Sequence, residues 1–355
     1  MFKRTLLATL VGVLAVGGAA ACSSGGSSHG MPTVSLMVGG IDKQIYLPYE
    51  LAQRLGYYHK YGVNVSLSTE SSGGVGAEDA MVSNQVNMAG AWYNHTIDFQ
   101  AKGKDVIDLV QLSGAPGERE MCGTNSGVHS AADFRGKTLG VTDLGSGTDS
   151  LTQFLAAQKG IKRSDYHTQA VGAGSTAIAA IKGGSAQCVM TTQPTVTAMQ
   201  QMHIAYSAID LATTSGASAA LGGAWPAAGV LATAAWANSH KAVVQKVVDA
   251  LVATMHWINT HTAAQIADKM PPSYVQNGLV TKADYISALN QDKGQFLPDG
   301  IMPAGGPKTV LAMEVMIGHA TSSIDLSKTF TNEYAVAANK LEGYQTTTTP
   351  AGVTG

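Results

Sequence analysis

Two stretches, GGVGAEDAMVSNQVNMAG (residues 73–90) and AGSTAIAAIKGGSAQCVMTT (residues 173–192), have nearly the same pattern one hundred positions apart. Each has a turn of small residues, an amphipathic helix, a polar turn and an apolar strand. Asn87 in the first copy corresponds to Gln187 in the second. This helix–turn–strand pattern also occurs in unrelated α/β proteins, so the match indicates a repeat only together with the elements around it.

Short apolar strand candidates alternate with helical patterns around both copies. This βαβα order predicts parallel sheets covered by helices, and its restart near residue 130 predicts a second, similar α/β unit. From Ala237 onward the patterns are helical, with a wide apolar stripe along residues 239–261. The strand candidates lie at 34–38, 63–67, 86–91 and 105–112 in the first unit, and within 130–142, at 167–171 and at 186–191 in the second.

The composition excludes a function driven by charge. Of 355 residues, 45% are hydrophobic and 13% are charged, with 22 basic and 24 acidic side chains. This length allows two domains. Because the charges nearly balance, the sequence has no basic stripe for nucleic acid, and we expect no nucleic-acid partner.

The first 22 residues, MFKRTLLATLVGVLAVGGAAAC, have the pattern of an export signal. Two basic residues precede an apolar run that is too short for a comfortable transmembrane helix. The end of the segment resembles a bacterial lipobox, which predicts a lipid-anchored Cys22 on the outer face of the cytoplasmic membrane. Cleavage without lipidation is the alternative, since Ala19 stands where leucine is commoner. We expect a flexible tether at 23–31 and a disordered tail at 345–355.

Two cysteines, Cys122 and Cys188, remain after Cys22. In an oxidising compartment they could form a disulfide. They could equally be two buried thiols that act as small apolar side chains.

The usual catalytic signatures are absent from the sequence. It contains no G-x-S-x-G, H-E-x-x-H, G-x-x-x-x-G-K-[ST] or C-x-x-C motif, and its ten histidines are scattered. We therefore predict that the protein is not an enzyme and has no cofactor and no metal site.

Polar loops rich in Ser, Thr and Gly follow the predicted strands and lead into helices. Open α/β sheets bind ligands at this edge, and helix N-termini attract polar or anionic groups. Helix capping needs the same residue types, and the aromatic residues could belong to the core or the hinge instead. The candidate ligand-binding residues are Gln44, Tyr46, Ser72, Gly73, Trp92 and Tyr93 from the first unit, and Ser146, Gly147, Thr148, Gln193 and Trp225 from the second.

Five phrases of the sequence form a familiar order. They are YLPYELAQRLGYYHKYGVNVSL, EDAMVSNQVNMAGAWYNHTIDFQAKGKDV, ADFRGKTLGV, AIAAIKGGSAQCVMTTQP and NSHKAVVQKVVDALVATMHWI. In their order and spacing, and over nearly all of the mature sequence, the chain resembles bacterial ABC-transporter substrate-binding proteins of the nitrate, sulfonate, taurine and thiamine-pyrimidine group. Family members usually have Asp where this chain has Asn87 and Gln187.

The resemblance implies the type II periplasmic-binding-protein fold, in which two α/β lobes are joined by two crossover strands and separated by a cleft. It places lobe 1 at 32–120 plus 234–344 and lobe 2 at 121–233. The crossover strands would lie side by side at 120–125 and 228–234, close to the strand of Cys188. This arrangement would allow a bond between Cys122 and Cys188, provided that their Cα atoms lie within roughly 7 Å, and it leaves two separate thiols as an equal alternative.

The resemblance also implies a function. A monomer would close on a small organic solute of the sulfonate, pyrimidine or aromatic carboxylate type and deliver it to an ABC permease with its ATPase. A sensor or adhesin lipoprotein of the same fold is one alternative, and a secreted hydrolase is another. A pyrimidine-forming enzyme of this fold is also possible, but its cysteine-rich metal motif is absent here.

Overall fold

The computed structural model describes residues 30–70 and 74–352, and all of these except Gly30 belong to one compact unit. The predicted signal segment with Cys22, most of the tether, Ser72, Gly73 and residues 353–355 lie outside the described residues. No helix within the described ranges combines the length and the apolarity that a membrane crossing requires.

The strands alternate with helices along most of the chain. The strands are β1 (Thr33–Val38), β2 (Asn64–Thr69), β3 (Met88–Trp92), β4 (Val106–Gln111), β5 (Glu118–Gly123), β6 (Thr138–Val141), β7 (His167–Ala170), β8 (Cys188–Thr192), β9 (Ala205–Asp210) and β10 (Ala228–Thr233).

Helices cover both sheets and make up the C-terminal third of the chain. They are α1 (Leu47–Arg54), α2 (Tyr57–Lys60), α3 (Val75–Val82), α4 (Asn94–Ala101), α5 (Gly147–Gln158), α6 (Ser175–Gly183), α7 (Thr195–Gln201), α8 (Thr214–Leu221), α9 (Ala234–Ser239), α10 (Lys241–Thr260), α11 (Ala263–Ala267), α12 (Pro272–Val275), α13 (Lys282–Asp292), α14 (Gly306–Met316) and α15 (Glu333–Glu342).

The strands form two five-stranded sheets with equivalent orders. The first sheet has the order β2-β1-β3-β10-β4, and the second has the order β7-β6-β8-β5-β9. In the first sheet β1 pairs in parallel with β2 and β3. In the second sheet β6 pairs in parallel with β7 and β8. The fourth position is taken by an antiparallel strand, β10 in the first sheet and β5 in the second.

The expectation that the crossover strands lie side by side is wrong. β5 is a strand of the second sheet and β10 is a strand of the first, so each crossover strand is inserted into the sheet that the chain has just entered. There its backbone groups pair on both edges, which satisfies donors and acceptors that would otherwise be buried without partners. The range 121–233 expected for lobe 2 therefore ends with a strand of the first sheet.

The two copies of the repeated pattern adopt the same local structure. Gly74 precedes α3 and Gly174 precedes α6, and both have positive φ angles, 109° and 65°. A residue with a β-carbon rarely adopts this conformation, which explains the glycine in both turns.

The amides after each helix also have equivalent roles. The side-chain oxygen of Asn87 accepts a hydrogen bond of 2.9 Å from the backbone N–H of Ser35 at β1. The side-chain oxygen of Gln187 accepts one of 2.8 Å from the N–H of Thr138 at β6. Asn87 therefore connects the turn before β3 to β1, and Gln187 connects the turn before β8 to β6.

A disulfide joins Cys122 of β5 to Cys188 of β8. The two residues are directly opposite each other in the antiparallel pairing, and both are fully buried. The bond closes a chain segment with a sequence separation of 66 residues and lies within the second sheet.

The tail is ordered as far as residue 352, contrary to the expected disorder over 345–355. The backbone N–H groups of Thr347 and Thr348 each donate a 2.8 Å hydrogen bond to Oδ2 of Asp299. Ala351 donates to the carbonyl of Met302. The buried Asp299 carboxylate needs donors, and the low-complexity tail supplies them from its backbone.

Candidate ligand-binding site

The carboxyl ends of β1 and β3 from the first sheet meet those of β6 and β8 from the second. The backbone N–H of Gln44, after β1, donates a hydrogen bond of 3.0 Å to the carbonyl of Gln193, after β8. The ring of Trp92 at the end of β3 lies against Gly147 at the start of α5, where a β-carbon would overlap it. We call this contact region the seam, defined by Gln44, Trp92, Gly147 and Gln193.

Two tryptophans and a tyrosine give the seam its apolar surface. The rings of Trp92 and Trp225 meet edge to face, with centroids 5.5 Å apart. Trp225 is fully buried, and its Nε1 has no hydrogen-bond partner among the described residues. Tyr46 is also buried, and burial together with the charges of Glu78 and Glu118 raises its phenol pKa well above the ordinary value. Neutral aromatic surface with buried polar tips therefore lies where the sheets meet.

Each glutamine of the seam uses one end of its side-chain amide. Gln193 Oε1 accepts from the N–H and the hydroxyl of Thr197 in α7, at 3.1 and 2.8 Å, while its Nε2 has no partner within the described ranges. Gln44 Nε2 donates to the carbonyl of Tyr285 at 3.0 Å, while its Oε1 has no partner there either. The seam therefore has one unused amide acceptor and one unused amide donor.

The hydroxyls predicted on the second side bond mainly to their own loop. Ser146 Oγ donates to the carbonyl of Asp143 at 2.7 Å, and Thr148 Oγ1 accepts from the N–H of Thr142 at 2.9 Å. The hydroxyls of Thr142, Ser146 and Thr148 also bond to one another. These contacts shape the turn that brings Gly147 to Trp92.

Tyr93 is separated from the other predicted residues. Its hydroxyl shares a hydrogen bond of 2.6 Å with Thr329 Oγ1, and its ring lies 6.3 Å from that of Phe330. Tyr93 follows the last residue of β3 and already has helical backbone angles, φ −57° and ψ −38°, and its ring is fully buried in the core. Ser72 and Gly73 lie outside the described residues.

Two charged side chains near the seam were not among the predicted residues. Lys43 is buried and donates to the carbonyl of Gly39 at 2.8 Å. Burial lowers the pKa of Lys43, while the nearby carboxylate of Glu118 opposes this shift. Burial raises the pKa of Glu118 to about 8, and its Oε2 has no partner in the described part of the chain. Polar residues in a strand that enters the second sheet are the signal that could have identified Glu118.

Arg119, the other cation near the cleft in sequence, is already neutralised. Its guanidinium donates to both carboxylate oxygens of Asp292 in α13, at 2.7 and 2.8 Å, and to Asp210 at 3.2 Å. The side chain is only 5% exposed. It ties β5 to the C-terminal helices and has no free donor pair for an anionic ligand.

A cavity of about 720 Å³ opens beside the seam and has walls from both sheets. This volume is in the usual range for small-molecule sites. Lys43, Thr69 and Glu70 form one wall, Gly174 and Thr195 form the opposite wall, and the segment around α12 forms the third side.

The family model described as NMT1/THI5 like matches residues 45–264. That range is more than half of the chain of 355 residues. No curated protein is significantly similar to the sequence.

Several solved structures share this fold. A protein of Bordetella bronchiseptica RB50 is 28% identical with a TM-score of 0.81, over 88% of this chain and 98% of that chain. The alkanesulfonate-binding protein SsuA from Xanthomonas axonopodis pv. citri, bound to MOPS, is 15% identical with a TM-score of 0.67, over 84% and 98%. The periplasmic nitrate-binding protein NrtA from Synechocystis PCC 6803 is 16% identical with a TM-score of 0.69, over 88% and 89%. The expected type II periplasmic-binding-protein fold is confirmed.

Proposed function

Because this chain belongs to the NMT1/THI5-like family, we propose that it is the solute-binding component of an ABC importer. It captures a small organic solute between two lobes and delivers it to a permease with its ATPase. The solved structures that share its fold are mostly binding proteins, which supports capture without chemistry.

The seam is the observation that carries this proposal. Four loops from two separate sheets meet there, and they contact each other through the Gln44–Gln193 hydrogen bond and the packing of Trp92 on Gly147. Contacts of this kind can form only when the lobes are together. A solute that binds both lobes shifts the population toward the closed form by as much as it prefers that form.

The charges at the seam favour a solute with an aromatic ring and hydrogen-bond donors, such as a pyrimidine, over a sulfonate. Arg119 is paired with two aspartates, and Lys43 lies beside the carboxylate of Glu118. Gln44 Oε1 and Glu118 Oε2 are buried acceptors without partners among the described residues. A ligand that donates to them removes the cost of leaving them unsatisfied. Acceptor atoms of the same ring can bind the buried donors Trp225 Nε1 and Gln193 Nε2, which also have no partner within the described ranges.

Thermal unfolding and calorimetric titration of the chain from residue 23 onward test the proposal. The panel contains aminopyrimidines, aromatic amines, sulfonates and nitrate. A ligand present at one hundred times its dissociation constant stabilises the protein by about 2.7 kcal/mol. We expect an aminopyrimidine or aromatic amine to give the largest shift. A shift with sulfonates alone would contradict the proposed ligand chemistry, and no shift with any member would contradict solute capture of these classes.

Trp92→Ala, with Trp236→Ala as its control, tests the position of the site. Trp92 lies in the seam, whereas Trp236 lies on α9 and stacks on His240 with centroids 4.6 Å apart. We expect Trp92→Ala to weaken binding by roughly 10-fold or more, since a stacked aromatic contact contributes about 0.5–1.5 kcal/mol beyond its buried area. Equal affinities of the two variants would remove Trp92 from the site.

We also propose that the protein is exported and anchored through Cys22, as the N-terminal pattern indicates. Cell fractionation and mass spectrometry of the N-terminal peptide test this. The native chain should remain with the membrane and carry a diacylglyceryl group, and Cys22→Ser should be released. An unmodified, released native chain would support cleavage without lipidation.

A further inference from the structure

A cluster of two buried carboxylates and one partly exposed imidazole lies between α4 and α14, away from the seam. One carboxylate oxygen each from Asp98 and Glu314 and a ring nitrogen of His319 all lie within 4.8 Å of one another. His319 Nδ1 is 3.1 Å from Glu314 Oε2. Asp98 belongs to α4, Glu314 belongs to α14, and His319 follows the turn after α14.

The hydrogen bonds of the protein do not satisfy this cluster. Glu314 is fully buried, and its Oε1 accepts a hydrogen bond of 3.1 Å from Asn94 Nδ2. Asp98 is 8% exposed, and its Oδ1 has no partner among residues 30–70 and 74–352. An unpartnered buried carboxylate oxygen is costly and is usually compensated by a proton or a cation.

Further ionisable groups around the cluster add to the excess of acid. His95 Nδ1 is 3.3 Å from Glu78 Oε2 and 3.7 Å from Asp98 Oδ2, and all three side chains are buried. The cluster thus brings together three carboxyl groups, including Glu78, and two imidazoles. The lysine whose charge acts on them, Lys102, is exposed.

We propose that Asp98, Glu314 and His319 bind a divalent transition-metal ion of the Zn²⁺ or Mn²⁺ type. Imidazole together with carboxylate is a donor set that suits such ions. His319 Nδ1 and Glu314 Oε2 share a hydrogen bond of 3.1 Å. Two ligands of a tetrahedral ion with ligand distances near 2.0 Å lie about 3.3 Å apart, so an ion replaces the shared proton with little movement of either side chain. The ion supplies the positive charge that the three buried carboxyl groups lack. Asn94 and His95 orient the ligands from outside, as the polar neighbours of metal ligands commonly do.

The position of the cluster connects it to both halves of the molecule. α14 packs against α4 beside the first sheet and against α5 beside the second. A bound ion therefore stabilises α14 at the place where it touches the second lobe.

Metal titration of the tag-free chain from residue 23 onward tests the proposal. The protein is first treated with a chelator under non-reducing conditions, because thiolates freed from Cys122 and Cys188 would bind zinc. Zn²⁺, Mn²⁺ and Mg²⁺ are then titrated separately by calorimetry, and bound metal is measured by elemental analysis. We expect one Zn²⁺ or Mn²⁺ ion per chain and much weaker binding of Mg²⁺.

Four variants decide whether the cluster is the site. Asp98→Asn and His319→Gln should weaken binding by roughly 10- to 100-fold or more. The exposed pair Asp325→Asn and His240→Gln should leave it unchanged. Absorption of bound Co²⁺ provides a readout of ligand identity, and His319→Gln should alter its bands. Circular dichroism of each variant separates loss of binding from loss of folding.

The competing explanation is a single proton shared between Asp98 and Glu314. In that case the native protein would bind no more metal than the Asp98→Asn variant, and that result overturns the proposal. Metal binding that persists unchanged in both Asp98→Asn and His319→Gln would overturn it as well, since the ion would then lie elsewhere.

Discussion

The two sheets share one strand order but differ in the chemistry of the crossover strand. In the first sheet, Ala228 and Val230 of β10 lie opposite β3. At the equivalent positions of the second sheet, Glu118 and Glu120 of β5 lie opposite β8. The second sheet also has a disulfide at this joint. The same backbone frame therefore accepts either small apolar residues or two buried carboxylates. Since buried carboxylates are costly, their presence in only one of the two crossover strands marks β5 as the more specialised of the pair.

Removal of the disulfide should cause the largest loss of stability, and this loss should affect the second sheet more than the first. Cys122→Ser together with Cys188→Ser is expected to lower the free energy of unfolding by about 2–4 kcal/mol, since the closed loop is long. Denaturant unfolding measures the loss. Hydrogen exchange should then show lower protection in β5 and β8, while β3 and β10 keep theirs. A change of less than about 0.5 kcal/mol would favour two thiols that act only as buried apolar groups.

Glu120→Gln should change the pH dependence of stability. Burial raises the pKa of Glu120 to about 8, so folding takes up a proton between the ordinary carboxyl range and pH 8. The native protein is therefore most stable at low pH in this window and loses stability as the pH rises toward 8. The variant should lose less stability over this range, the remainder coming from groups such as Glu118 whose pKa burial also raises to about 8, and it should be more stable than the native protein at pH 8 by about 1–3 kcal/mol.

The exposed Glu333→Gln is the control for this experiment. Its denaturant midpoints should follow those of the native protein at each pH between 4 and 8. Parallel curves for Glu120→Gln and the native protein would mean that Glu120 is ionised and solvated in the folded state.

Gly147→Ala should affect closure between the lobes more than the stability of either. A β-carbon at Gly147 meets the ring of Trp92, whereas one at Gly183 in α6 meets nothing within 4 Å. We therefore expect Gly147→Ala to weaken ligand binding about 10-fold, equivalent to about 1.4 kcal/mol, and Gly183→Ala to leave it unchanged. Calorimetry with the best ligand of the panel measures both. Equal affinities would show that the lobes close without the Trp92–Gly147 contact.

We expect the smallest loss of stability from substitution of Asn87 or Gln187, and we expect a similar loss at both positions. Asn87→Ala and Gln187→Ala each remove an acceptor for a backbone N–H of the first strand, with an expected loss of about 1 kcal/mol. The loss of stability should be somewhat larger for Asn87→Ala, because the Asn87 side chain also accepts a hydrogen bond of 3.0 Å from the hydroxyl of Ser35. Thermal unfolding, with the exposed Gln158→Ala as control, measures the difference. A loss at only one position would show that the two turns are not equivalent.

Much of the fold could be predicted because its signals are local. The alternation of strands and helices, the glycines before α3 and α6, and the equivalence of Asn87 and Gln187 are visible as short patterns. The position of β10 was not predictable in this way, because a short apolar strand reads the same in either sheet. The ordered tail was missed since its partner, Asp299, is nearly fifty residues away.

The site was only partly predictable for the same reason. Loops at strand ends suggested Gln44, Trp92 and Gly147, and these residues meet at the seam. The sequence pattern could not show that Trp92 reaches the seam and that Tyr93 does not, because this depends on where β3 ends and on how the chain turns into α4. Glu118 was missed because the charged residues of β5 mark the strand as unusual, but only the tertiary structure shows which of them lies beside the seam.

The sequence by itself determined the repeated α/β units, the turns that need glycine and the polar loops at the strand ends, since these depend on neighbours within a few residues. Only the tertiary structure decided which strand enters which sheet, which loops touch across the seam, and that Asp98, Glu314 and His319 come together. Those outcomes depend on burial and on contacts between residues far apart in the chain. Burial changes the energy of a charge more than any neighbour in sequence does.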